Sequence, residues 1–320
     1  MKIVFFGTPD FVLPVVNVLN KSFRSENNSP LVCVVTQKPK PSGRKKTLAF
    51  SSVDRWAYKK KIPVVYDSSE IVKKKIKADI GVLAAYGSIL PESLVNYFPC
   101  GILNIHPSLL PKYRGPSPVQ ATIIGKDEAG VTIIKLDNKI DHGPIIAQFN
   151  VKRKNSDTTG TLTKRCFLKS ANVLEKLITP YIKGKIKIKA QDNSKATYTK
   201  LITKADGFIP PKYLRSFTDE NEKNFPEKGK SIWKINFMDD LKLKPCAFSL
   251  DRFIKAMDPW PSAWSSVVLF PSAKPKRIKI LKSHVKKDSS FLFIDNVQLE
   301  GKKPVSWQQF KRGYPSASFY

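Results

Sequence analysis

No apolar run in the chain approaches the roughly 20 residues that a membrane-spanning helix needs. The longest candidate, "IGVLAAYGSIL", is interrupted by Gly87. The opening "MKIVFFGTPDF" is too short in apolar residues for a secretory leader and reads as a first strand. Cysteine is scarce: Cys33, Cys100, Cys166 and Cys246 are scattered with no C-x-x-C pair. That excludes a zinc ribbon and points to free thiols in a reducing cytoplasm. After the first strand "GTPDF" stands where a G-x-G-x-x-G would be, so nothing indicates dinucleotide binding. Ser108 has no G-x-S-x-G elbow to make it a nucleophile. Acidic groups are few, 26 against 56 Lys and Arg, for a formal charge of +30. A field of that sign draws polyanions and favours a nucleic-acid partner, although an excess of Lys over Arg also has a purely compositional reading.

What is present is two kinds of text. At 320 residues two domains are expected. In the first half, short β-branched runs ("KIVFFG", "LVCVVTQ", "IPVVYD", "IGVLAAYG", "ILNIH") alternate with helix-spaced segments, which predicts an α/β domain with a doubly wound, mostly parallel sheet. "GVTIIKLDNKIDHGPIIAQFNVK" predicts an antiparallel pair closing that sheet, followed by a helix over about 158–182. The expected catalytic domain is 1–183. Residues 184–205 are polar and Lys-rich, as suits a linker passing over the surface. Residues 206–320 carry short strand-like pieces separated by polar turns and predict a small OB-like β-barrel, with 210–246 an insertion of little periodicity. Trp260 and Trp264 in "PWPSAW" are expected in its core.

With only three histidines, the placement of His106 at the end of "ILNIH" asks for a reason. Ligands of open parallel sheets lie beyond the carboxyl ends of the strands. Side chains alternate along a strand, so Asn104 and His106 share a face. "HPSLLPKYRG" follows as a loop stiffened by Pro107 and Pro111. Asp141, in the loop of the antiparallel pair, can face that edge, while the adjacent His142 should diverge from it. An amide, an imidazole and a carboxylate suit acyl transfer to an amine: two donors for a developing oxyanion and a carboxylate to hold the imidazole. A metal site from His106, Asp141 and His142 fits no standard ligand spacing. On spacing alone the enzyme stays unnamed, and a structural histidine remains open.

"NIHPSLLPKYRG" closely resembles the N-x-H and S-L-L-P-x-x-x-G signature of folate-dependent formyltransferases. "IVFFGTPDF", "VVTQKPKPSGRKK", "AAYGSILP", "ATYTKLI", "IKAMDPWPSAW" and "VQLEGKKPVSWQQFKRG" resemble blocks of the methionyl-tRNA formyltransferase family, including its linker and C-terminal domain. The resemblance implies a Rossmann-like formyltransferase domain and formyl transfer from 10-formyltetrahydrofolate, a co-substrate, to methionyl initiator tRNA, without a metal. A small amine, such as a nucleotide sugar or glycinamide ribonucleotide, is the alternative acceptor. A retired scaffold that only binds RNA is a third reading. The resemblance assigns catalysis to Asn104, His106 and Asp141. It assigns folate contacts to Tyr86, Ile89, Leu90, Ser108, Leu109, Leu110 and Pro111, and tRNA contacts to Lys38, Lys40, Arg44, Lys45 and Lys46. A cytoplasmic monomer is expected. The loop "LDNKIDHGPI" departs from the family's usual L-D-T-G-D form, and 210–246 has no counterpart in the pattern.

Overall fold

The computed structural model describes residues 1–25, 28–42, 47–218, 232–239, 241–287 and 289–320. The chain divides into two compact units, one built from Met1–Arg114, Glu128–Lys152 and Thr163–Thr197, the other from Gly115–Asp127, Arg153–Leu162 and Tyr198–Tyr320.

In chain order the first part runs β1 (Ile3–Gly7), α1 (Leu13–Ser22), β2 (Leu31–Val35), β3 (Lys40–Ser42), β4 (Thr47–Ala49), α2 (Ser52–Lys60), β5 (Val64–Val65) and α3 (Ser69–Lys73). It continues through β6 (Ile80–Ala84), α4 (Glu92–Val95), β7 (Ile102–His106), α5 (Pro118–Gly125), β8 (Gly130–Lys135), β9 (Ile145–Asn150) and α6 (Thr159–Ile182). Seven strands make one sheet, ordered β5-β2-β1-β6-β7-β8-β9. From β5 to β7 the pairing is parallel, and β8 and β9 add antiparallel to that edge, as the sequence predicts. Every residue of β1 and of β7 is buried. A parallel sheet covered on both faces needs such continuous runs rather than alternation. Val4, Phe6, Cys33 and Val35 pack with Ile71, Leu94, Phe98 and Ile102 on one side of the sheet.

Two sequence expectations change here. "IPVVYD" contributes only the two residues Val64 and Val65, at the sheet edge. "KPKPSGRKKTL", expected as a loop, contains a hairpin in which Lys40 pairs with Ala49 and Ser42 with Thr47; Arg44, Lys45 and Lys46 lie outside the described residues.

The second part holds α7 (Pro211–Thr218), β10 (Trp233–Lys234), β11 (Lys242–Leu243), α8 (Ala247–Ala256), β12 (Ala263–Val268), β13 (Lys276–His284), β14 (Phe293–Leu299), β15 (Val305–Ser306), α9 (Trp307–Gly313) and β16 (Ser318–Phe319). Five strands form an antiparallel sheet ordered β15-β14-β13-β12-β16, in the part of the chain for which the sequence predicts a small β-barrel. Capping boxes start α8 (Cys246 with Ser249) and α9 (Ser306 with Gln309), each closing two backbone donors at the helix end. The segment 210–246, read as lacking periodicity, carries α7 at its start, with Tyr213, Leu214 and Phe217 buried, and the β10–β11 hairpin near its end. Pro211 stands at the first helical position, where its missing N–H costs nothing. Trp264 packs on Phe208 with its centroid 4.7 Å away, whereas Trp260 is half exposed, against the expectation for both.

Candidate active site

Strand β7 ends the parallel part of the sheet with Asn104 and His106, both buried. Its antiparallel neighbour places Thr132 opposite His106, and β9 in turn places Gln148 opposite Thr132. This row of polar side chains holds the loop that follows β7. Thr132 Oγ1 accepts from the Leu110 backbone N–H at 3.0 Å and donates to the Ser108 carbonyl at 2.7 Å. Gln148 Nε2 donates to the Leu110 carbonyl at 2.8 Å and to Thr132 Oγ1 at 2.9 Å. Neither Thr132 nor Gln148 was singled out from sequence. Their signal was there, a threonine and a glutamine in strands otherwise read as apolar core.

Asp141 reaches this edge from the β8–β9 connection. Asn104 Nδ2 donates to its Oδ1 at 3.0 Å, and His106 Nδ1 stands 3.4 Å from its Oδ2. One carboxylate thus meets both strand-end side chains. His106 Nε2 lies 2.9 Å from the Tyr113 carbonyl, an atom that only accepts, so that nitrogen carries a hydrogen. The ring is held between a carboxylate and a carbonyl. His142, next to Asp141 in sequence, turns the other way and pairs with Asp137, Nδ1 to Oδ2 at 2.6 Å. Among the described residues no group of three or more His, Cys, Asp or Glu side chains is arranged to hold a metal ion.

Backbone geometry explains how Asp141 gets there. Its φ is +47°, in the left-handed region, as is Tyr113 at +63°. Few residues other than glycine sit there, and aspartate is among the more tolerant. Two residues on, Gly143 passes so close to β8 that a Cβ would stand 1.8 Å from the Lys135 carbonyl oxygen. Only glycine fits, which gives the "DHG" of this loop a steric reason.

The expected folate contacts divide. Ile89 is 87% exposed, and Leu90 and Leu109 are half-buried, so their surfaces remain available. Pro111 is also half-buried, following a cis peptide bond from Leu110, which is itself buried. Ser108 is buried, its hydroxyl donating to the Lys112 carbonyl at 2.6 Å. Tyr86 is buried in the core with its ring edge-on to Phe6, 6.0 Å between centroids. The Ser108 and Tyr86 side chains are therefore engaged inside the protein, and their carbonyls accept from Thr132 and Thr8. Lys38 and Lys40 are exposed. A cavity of 1190 Å³ lies elsewhere in the first unit, against α2 and β5, with Phe50, Asp54, Tyr58 and Tyr66 in its wall, and takes in none of these candidates.

The family described as "Formyl transferase" matches residues 1–178. A methionyl-tRNA formyltransferase from Chloroflexus aggregans is 34% identical, over 83% of this chain and 76% of that protein. One from Roseiflexus castenholzii is 31% identical over 98% of this chain and 96% of that protein. The chain belongs to the methionyl-tRNA formyltransferase family. In fold it is also similar to a solved N-formyltransferase from Helicobacter canadensis in complex with folinic acid and dTDP-3-aminofucose, with a TM-score of 0.62, 19% identity and full coverage of both chains. That likeness speaks to architecture alone. No helix among the described residues is long and apolar enough to cross a bilayer.

Proposed function

We propose that this chain transfers the formyl group of 10-formyltetrahydrofolate to the α-amino group of methionine esterified to initiator tRNA. The convergence of Asn104, His106 and Asp141 at one strand end carries this reading, together with membership of the family. The donor set fits the chemistry. The formyl donor supplies an electrophilic carbon and a nitrogen that leaves. As an amine attacks that carbon, its oxygen gains negative charge and the new ammonium must lose a proton.

An sp² amide nitrogen has two hydrogens, and Asn104 gives one to Asp141, leaving the second to meet the oxyanion. His106 stands at the same strand end, its ring fixed in orientation by Asp141 on one side and the Tyr113 carbonyl on the other. Asp141 takes up the proton through water, and the same proton returns to the departing nitrogen of tetrahydrofolate as its bond to the formyl carbon breaks. An α-amine has a pKa of roughly 8, so a weak base is enough. The exposed Ile89 and the half-buried Leu90, Leu109 and Pro111 supply an apolar wall for the pterin. Lys38 and Lys40, with the lysines and arginine that follow them, are the proposed phosphate contacts for tRNA.

The test incubates the protein with 10-formyltetrahydrofolate and methionyl initiator tRNA, and scores N-formylmethionyl-tRNA against uncharged and elongator tRNA. Turnover on a sugar-nucleotide amine, with none on the charged tRNA, would transfer the assignment to the small-amine formyltransferases.

A further inference from the structure

Asp141 depends on a residue far from the strand end. The linker after α6 was expected to run over the surface, and its residues 187–190 are exposed, but Gln191 turns inward. Its Nε2 donates to two carbonyls at once, Asp141 at 2.9 Å and Gly143 at 2.8 Å. Its Oε1 accepts from Arg114, at 3.2 Å from Nε and 2.8 Å from an Nη. Arg114 is 2% exposed, and the same Nη also donates to Asn193 Oδ1 at 2.7 Å. A guanidinium only donates, so its presence beside Gln191 fixes which end of the amide is oxygen and aims the NH₂ at the two carbonyls. Rotating the amide by half a turn would set oxygen against two carbonyl oxygens and nitrogen against a cation.

The two carbonyls that Gln191 clamps bracket the turn in which Asp141 adopts φ +47°. On the far side the segment is anchored as well, because Tyr113 N–H donates to Thr197 Oγ1 at 2.9 Å and Arg114 N–H to the Thr197 carbonyl at 2.9 Å. Residues 191–197 therefore grip both walls of the site: the 141–143 turn, and the Tyr113 carbonyl on which His106 rests. We propose that Gln191 is a positioning residue for the formyl-transfer site. Oriented by the buried Arg114, its amide holds the 141–143 turn so that one carboxylate addresses Asn104 and His106 together.

The proposal rests on the reading of Asn104, His106 and Asp141 as the reacting set, and its test separates the two. Gln191→Glu keeps an oxygen for Arg114, even strengthening that contact, while deleting both donors to the carbonyls. Gln191→Leu removes both halves. In the full chain, Gln191→Glu is expected to lower kcat roughly 10- to 100-fold, the scale at which small displacements of reacting groups act. KM for methionyl-tRNA stays within about twofold. In a double-mutant cycle Gln191→Glu then costs little more in an Asp141→Asn background, since its effect runs through Asp141. Full additivity of the two losses, or wild-type kcat in Gln191→Glu, overturns the proposal. Should Gln191→Leu unfold, Gln191→Glu still decides, because it retains the Arg114 contact.

An activity-independent arm follows the His106 ring by ¹⁵N NMR. Its signals are expected to move in Gln191→Glu as the carboxylate leaves Nδ1, and unchanged ring signals overturn the positioning. If the wild-type protein forms no N-formylmethionyl-tRNA, the functional reading falls, while the ring signals still judge the clamp.

Discussion

Each unit of this molecule sets an aspartate where little of its side chain meets solvent, 10% for Asp251 and 13% for Asp141, and the two are held in opposite ways. Asp251, in the middle of α8, accepts from Ser283 of β13 at 2.8 Å and pairs with Lys255 one helical turn on. Its charge is answered within its own helix, with regular backbone, by the i, i+4 spacing that any helix provides. Asp141 is met by side chains of another element. It stands at positive φ, and its partners come from a strand 37 and 35 positions earlier in the chain. Burial and pairing are common to both, so neither marks a functional group. What separates them is backbone that costs energy to maintain and partners recruited across the fold, which is where function is expected to override local preference.

The largest effect that tests this contrast is on rate. Asp141→Asn keeps the shape and removes the charge, and single-turnover formylation should fall by about 10³-fold, roughly 4 kcal/mol of barrier, with thermal stability close to wild type. A comparable loss of fold would make Asp141 structural, like its counterpart. Asp251→Ala should show the reverse. It takes this acceptor from the buried Ser283 hydroxyl and leaves Lys255 with the Asn155 carbonyl alone, so urea denaturation of the second unit should lose about 3 kcal/mol, with kcat per folded molecule unchanged within about twofold. A drop in kcat there, without lost stability, would dissolve the distinction.

How much of this could be read beforehand follows the same divide. The parallel sheet was legible because its strands are unbroken β-branched runs, and "NIH" was legible because two polar residues at period two have no place in a buried strand unless they serve something. The clamp was not. Gln191 sits in text that is otherwise linker, "KIKIKAQDNSK", and no local pattern says that one glutamine of that stretch turns inward. Arg114 is an arginine in a loop, a residue type almost never fully buried without partners, and those partners lie 77 and 79 positions away. α7 was hidden for a different reason. Its proline and lysines suggested a surface insertion, while its three buried residues, Tyr213, Leu214 and Phe217, span barely one helical turn and give period detection little to act on.

A middle-sized effect sets the reaction chemistry of the first unit apart from its electrostatic reach. Lys38→Glu with Lys40→Glu leaves Asn104, His106 and Asp141 untouched, so kcat at saturating tRNA should hold. Binding should weaken. The slope of log K against log salt should shrink by roughly 1.4 to 1.8 for two lost phosphate contacts, at about 0.7 to 0.9 per contact. An unchanged slope would remove these two lysines from the tRNA surface.

The smallest effect concerns another aspartate, Asp54, which is buried in the first unit yet behaves like the structural one. It lies in the first turn of α2, where the helix end favours negative charge, and it accepts from Tyr66 Oη at 2.6 Å. That hydrogen bond, ahead of burial and the nearby charge, pushes the Tyr66 phenol up to about 12. An unfolded tyrosine titrates near 10, so above that pH the unfolded chain sheds a proton that the folded one retains. Whatever Tyr66 contributes to stability is thus complete below about pH 10 and lost as pH rises to about 12. The ultraviolet difference between wild type and Tyr66→Phe isolates this phenol from the buried Tyr86 and the half-buried Tyr181, and its midpoint should fall near 12. Formyl transfer at neutral pH should be the same in both proteins. A midpoint near 10 would show that Asp54 does not hold the phenol, and lost transfer activity would place Asp54 with Asp141 after all.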